Sequence, residues 1–240
     1  MQIAWVGHGD EAYRLELPPA SEHVMPGVRW GRVEEPNTPA YWSARCRWPV
    51  GNTPDFVSTT GSLVHEVAFC LLGGFGIRYE VNAAAFERLD AASAFDLDVP
   101  FPEELIRQAL LEPLEVEGRK QRYRFPNQRA RRLAAMRDRL HGFVHDPSDA
   151  TGTRDLLMTL DGVGPKTASW IVRNLMGSDE VAIIDVHVIR ACTGMRVFPE
   201  RISLPRDYSP LEKRFLHFAQ AIAIRPSVLD AVMWTEMRAA

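Results

Sequence analysis

A lysine and an aspartate nineteen positions apart are the residues of this chain best suited to chemistry. Lys166 stands just past a Gly-x-Gly turn in Leu160-Asp161-Gly162-Val163-Gly164-Pro165-Lys166, and Asp185 ends an apolar run in Ile183-Ile184-Asp185-Val186-His187. A lysine amine is a nucleophile only when neutral, so its pKa must fall through desolvation or a neighbouring positive charge. A half-buried helix start, whose dipole disfavours a cation, pushes in that direction. A carboxylate can stabilise positive charge growing on a sugar and assist proton movement. Backbone N–H groups of the turn, from Gly162, Val163 and Gly164, offer a phosphate site that needs no side-chain charge. Together these residue types point to chemistry on a nucleic-acid sugar. His187 can contact a phosphate or orient the carboxylate. Plainer roles stand beside these: Lys166 as a phosphate contact, Asp185 as a helix N-cap, His187 as a structural histidine.

The elements that must position this pair read as helices. Asp149 or Thr153 caps a helix ending near Leu160, and residues 165–177 form the next, with Pro165 in its first turn and Gly177 at its end. The two form a helix-hairpin-helix whose glycines permit positive φ and close approach of a ligand. Upstream, Ser58, Thr59 and Thr60 are N-cap candidates for a buried helix over Leu63–Leu72, stopped by Gly73, Gly74 and Gly76. Asn82 is expected to cap a helix through Ala92, Pro102 to open another, and Asn127 to cap a basic helix to about Phe143. Further helices are expected near 185–194, 209–224 and 227–238, with no strand alternation after residue 60. The expected fold class is all-α: a helical body over 58–240, preceded by an irregular Pro- and Trp-rich segment, 1–57, packed on it. Short strands are conceivable in that segment, for example over 28–33.

The formal net charge of −3 hides an asymmetry. Between Arg119 and Arg139 stand nine basic residues and one acidic residue, a net +8 against −11 for the remainder. That pattern suits a local phosphate-binding face on an acidic body. Tyr123 and Phe125 interleave the arginines in a way that fits backbone tracking. Cys46, Cys70 and Cys192 are too few and too scattered for a disulfide framework or a zinc site, and too few to ligate an iron–sulfur cluster. The N-terminus lacks a signal-peptide pattern, and no run approaches the ~18 apolar residues of a membrane span. The expectation is a cytoplasmic monomer without a membrane partner.

Leu160 to Ala168 followed by Ala182 to His187 resembles the signature of the helix-hairpin-helix DNA glycosylase superfamily. The Ile-Asp-Val-His run and the missing cluster cysteines look closest to the 8-oxoguanine branch, in its shorter prokaryotic form. The specific resemblance covers about 30 residues, and weaker similarity in helix order, including Ser227 to Trp234, extends from about 58 to the end. It implies a two-lobed helical fold with a cleft between lobes. It implies Lys166 as the nucleophile of a glycosylase with AP-lyase activity and Asp185 as its catalytic aspartate. Double-stranded DNA is the partner, no cofactor is required, and a monovalent cation has a place on the hairpin carbonyls.

An enzyme of this kind flips its target base against aromatic or apolar walls. Trp170, one turn past Lys166, together with Phe215, Phe218 and Trp234, are the candidates; each is also a natural core residue. In the branch that this chain resembles, the position of Trp170 borders the base, so a tryptophan there bears on which base fits. The loop after the buried helix lies where the family inserts a side chain into the vacated stack, which nominates Phe75 and Arg78 as the wedge. Excision of an oxidised purine, 8-oxoguanine first, is the leading expectation. Another modified purine, in a setting of antiviral defence, and a noncatalytic DNA-binding module are the alternatives.

Overall fold

The computed structural model describes residues 1–48, 62–74, 76–143, 146 and 148–239. Along the chain run β1 (Gln2–Val6), β2 (Tyr13–Leu17), β3 (His23–Met25), β4 (Val28–Arg29), α1 (Pro39–Arg45), α2 (Leu63–Leu72), α3 (Tyr79–Ala91) and α4 (Glu103–Leu111). There follow β5 (Leu114–Val116), β6 (Arg119–Gln121), α5 (Pro126–Leu140), α6 (Ala150–Leu157), α7 (Pro165–Met176), α8 (Val186–Gly194), α9 (Tyr208–Ala221) and α10 (Pro226–Ala239). The fold is mostly helical, and its strands pair only as three antiparallel two-stranded ribbons among the described residues. No described helix is long and apolar enough to cross a membrane.

Two compact units divide the chain: residues 57–176 form one, and residues 1–56 together with 177–240 form the other. The N-terminal segment is therefore integral to a unit that it shares with α8, α9 and α10, and the body expected over 58–240 is itself divided at 176. Trp42 of α1 accounts for this. It is 1% exposed in a core with Phe215, Phe218, Leu229 and Met233 of the C-terminal helices. Burying aromatic side chains of this size stabilises by several kcal/mol each. Thr38 caps α1 by accepting the Tyr41 N–H, and Pro39 opens it without wasting a donor. From α10, Glu236 accepts the Tyr41 hydroxyl and the Arg45 Nε–H. Burial and then Glu236 push the Tyr41 phenol up to about 12.

In the 57–176 unit, α5 packs on α2 and α4, and α7 packs on α2 and α6. Local expectations fail here where long-range partners intervene. Asn82 lies inside α3 rather than at its start, and donates to the Phe69 carbonyl at the end of α2. Pro126 is the first residue of α5 and Phe125 holds the cap position, so Asn127 does not cap it. The β5–β6 hairpin turns through Glu117 and Gly118, both at positive φ, after residue 60 where no strand was expected. The proposed caps Ser58, Thr59 and Thr60 lie outside the described residues; Ser62 occupies the N-cap position of α2.

Candidate active site

The lysine side is built on the turn between α6 and α7. Asp149 caps α6 by accepting the Gly152 N–H at 2.8 Å. The chain then tightens through Leu160 N to Leu157 O and Val163 N to Leu160 O, at 3.0 and 3.1 Å. Gly162 takes φ +87°, a region open to glycine at little cost. Gly164 does not need positive φ, and a β-carbon there would meet nothing within 4 Å. Its use is open space. The Val163 amide is committed to Leu160 and the Val163 side chain is 5% exposed, so it is a packing residue rather than a phosphate donor. The Gly164 carbonyl accepts the Ala168 N–H at 2.9 Å, which starts α7 there. The amides of Gly164, Lys166 and Thr167 consequently have no intrahelical acceptor, which is the arrangement that suits an anion.

Lys166 is exposed, not half-buried as expected. Ala168, Ser169, Ile171, Val172 and Arg173 form the buried face of α7, and Lys166 stands exposed at its edge. Its ammonium lies 5.9 Å from the ring centroid of Trp170, which is itself 41% exposed. Residues four apart on a helix are neighbours, so this contact follows from spacing alone. On α2, burial pushes the half-buried Cys70 thiol up to about 12, with Glu66 raising it further and Lys166 opposing. A buried carboxylate and the lysine therefore act on the same thiol.

The arginine-rich window divides by role. Arg129 donates to the Gly73 carbonyl, and Arg137 to the carbonyls of Ala94, Asp96 and Val99. Both are buried, so they brace loops rather than track a nucleic-acid backbone. Tyr123 is likewise buried and donates to the Leu72 carbonyl. Arg131 and Arg132 approach Asp161 of the hairpin at 3.7 and 3.6 Å. Arg119, Lys120, Arg122, Arg124 and Arg139 remain exposed. Of the proposed wedge, Phe75 lies outside the described residues. Arg78 is exposed and paired with Glu80 and Glu117.

The aspartate belongs to the other unit. Asp185 caps α8, its Oδ1 accepting the N–H groups of His187 and Val188 at 2.9 and 2.8 Å. The cap and a catalytic role are compatible, since both amides bind Oδ1 and the cap does not occupy Oδ2. The side chain is 7% exposed. His187 is half-buried, and its Nδ1 makes no hydrogen bond among the described residues.

Behind Asp185 is a set of side chains that the sequence did not disclose. Residues 182–184 are buried and have no strand partner, yet each N–H is taken by a side chain. Glu212 accepts from Ala182 at 3.0 Å, Asp230 from Ile183 at 3.1 Å and the Tyr208 hydroxyl from Ile184 at 3.2 Å. The same hydroxyl donates to the Ala182 carbonyl at 2.8 Å. A carboxylate at 230 inside the otherwise apolar Val228–Met233 stretch is the signal that could have found the clamp.

Phe215 and Phe218 have no exposed surface and lie in the core, which explains them without a base pocket. Trp234 is 39% exposed on α10, with Arg238 over its ring at 4.2 Å. Trp170 and Trp234 are thus the aromatic candidates with free surface.

A family model described as 8-oxoguanine DNA glycosylase matches residues 57–224. The chain is 36% identical over 117 residues to an 8-oxoguanine DNA glycosylase/AP lyase of Metallosphaera sedula, a stretch of 47% of this chain and 57% of that protein. It spans little more than half the length of that relative. Its structure is similar to that of the 8-oxoguanine DNA glycosylase of Thermotoga maritima, with a TM-score of 0.54 and 26% identity over 76% of this chain and 82% of the other. The Methanocaldococcus jannaschii 8-oxoguanine glycosylase/lyase, solved in complex with a 15mer DNA containing 8-oxoguanine, gives a TM-score of 0.53 at 22% identity over 75% of this chain and 82% of the other. At that identity the likeness concerns the fold.

Proposed function

The chain belongs to the 8-oxoguanine DNA glycosylase family, and from that premise we propose that it excises an oxidised purine, 8-oxoguanine, from double-stranded DNA and then nicks the strand. The single observation that carries this reading is the hairpin: open space at Gly164, donor amides at the start of α7, and Lys166 projecting beside them. In the neutral form, the Lys166 amine attacks C1′ of the flipped nucleotide. The N-glycosidic bond breaks and the base leaves with its electron pair, taking up a proton. The resulting adduct opens to a Schiff base, and loss of a C2′ proton expels the 3′ phosphate by β-elimination. Asp185 stabilises the positive charge that grows on the sugar and helps move these protons.

The exposure of Lys166 adds a condition. Desolvation that the free protein does not supply has to come with the bound DNA, which excludes water as the base enters. The hairpin amides hold a phosphate 3′ of the lesion, and the carbonyls of the same turn are the place for a monovalent cation. Trp170 is a pocket wall in this reading, and the exposed arginines of the basic window meet the backbone. The test is borohydride trapping on a duplex carrying 8-oxoguanine. Wild type should form a covalent complex and Lys166→Gln should not. Trapping that persists in Lys166→Gln would sink the mechanism.

A further inference from the structure

The Asp185 carboxylate is tied by Oδ1 to the first amides of α8, so its position in space is the position of that helix start. The chain enters α8 through residues 182–184, which have neither helix nor strand to hold them. Their place is set by three side chains from two other helices: Tyr208 and Glu212 on α9 and Asp230 on α10. The Asp185 N–H closes the series on the Ile183 carbonyl at 3.1 Å. Four successive amides are thereby satisfied in a stretch that is at most 8% exposed, by partners that are at most 3% exposed apart from the local turn bond. Tyr208 grips the segment twice, accepting from Ile184 and donating to Ala182, which fixes the chain's rotation as well as its position.

We propose that Tyr208, Glu212 and Asp230 are positioning residues for the reaction, acting through the backbone of 182–184 to hold the Asp185 carboxylate where charge develops on the sugar. This rests on the glycosylase reading above. Buried amides need only an acceptor, and a neighbouring strand would serve. Three side chains converging on consecutive residues, ending one residue before the reacting carboxylate, define a point rather than a surface. Displacement of a reacting group by about 1 Å can cost on the order of 100-fold in rate.

Tyr208→Phe deletes one hydroxyl and keeps the ring in the core. Asp230→Ala deletes an acceptor, and Asp230→Asn retains a carbonyl oxygen for Ile183. In single-turnover excision of 8-oxoguanine, Tyr208→Phe and Asp230→Ala should lose about 10- to 100-fold in rate with KM unchanged, and Asp230→Asn should recover most of it. Trapping on a preformed abasic site requires Lys166 but no glycosidic cleavage, and it should survive in all three. Amide hydrogen exchange over 182–188 should quicken in Tyr208→Phe while exchange within the 57–176 unit stays as in wild type. Wild-type excision rates in Tyr208→Phe and Asp230→Ala would overturn the proposal, as would joint loss of excision and trapping, which marks a fold defect. A protein that excises nothing even as wild type refutes the glycosylase reading instead. The exchange measurement then decides the clamp alone, and unchanged protection over 182–188 overturns it.

Discussion

The lysine and the aspartate are held in opposite ways. Lys166 is a long exposed side chain on a helix start, fixed at its root by a glycine turn, with its ammonium near the Trp170 ring. Asp185 is short and buried, bonded to two amides and backed by three side chains of α9 and α10. On the mechanism proposed above, Lys166 forms and releases a covalent bond, and that needs reach. A carboxylate that stabilises charge needs a fixed place, since preorganisation is what gives electrostatic stabilisation its strength.

The contrast can be broken at its strongest point first. Lys166→Gln should abolish borohydride trapping and reduce strand nicking at least about 1000-fold, with the melting temperature unchanged, because the side chain is exposed. Asp185→Asn should come next. Asparagine is as good a cap as aspartate, so α8 should persist while single-turnover excision falls by about 100-fold or more. Asp185→Ala would add a loss of about 1 kcal/mol in stability, read by urea denaturation. Equal stability in the Asn and Ala variants would mean that the cap bonds contribute nothing. Gly162→Ala probes the lysine side through its backbone. A β-carbon at φ +87° would also lie 2.6 Å from Arg132 Nε, so about 1–2 kcal/mol of stability should be lost along with duplex affinity.

The smallest effect concerns pH. Partial burial tends to raise the carboxyl of Asp179, but bonds from Ser227 and Arg225 outweigh it and hold the group below its ordinary value. An acid with a depressed folded pKa stabilises above its unfolded value and ceases to do so as pH falls through the folded one. The melting temperature of wild type should therefore decline below about pH 4, and Asp179→Asn should flatten that limb. An unchanged acid limb in the variant would remove Asp179 from the account.

What was legible beforehand was local. The caps Asp149 and Asp185, the start of α7 at Pro165 and the Lys166–Trp170 neighbourhood all depend on residues within four positions. What was hidden depends on distant partners. Glu212, Asp230 and Tyr208 reach amides 30, 47 and 24 positions away. Arg129 and Arg137 read as a charged helix face until the carbonyls they brace, 56 and 43 positions upstream, are known. The exposure of Lys166 was misjudged because a helix dipole says nothing about which face the neighbours cover.

The join between residues 1–56 and 177–240 carries a consequence for biogenesis. As the chain leaves the ribosome, its first segment has no core to enter until Phe215, Phe218 and Met233 have been made. The lysine-bearing unit is continuous and can close meanwhile. At roughly 5–20 residues per second, Trp42 waits on the order of ten seconds in water, so this stretch is where a chaperone would find its handle. Residues 177–240, which hold the aspartate, follow the lysine-bearing unit off the ribosome.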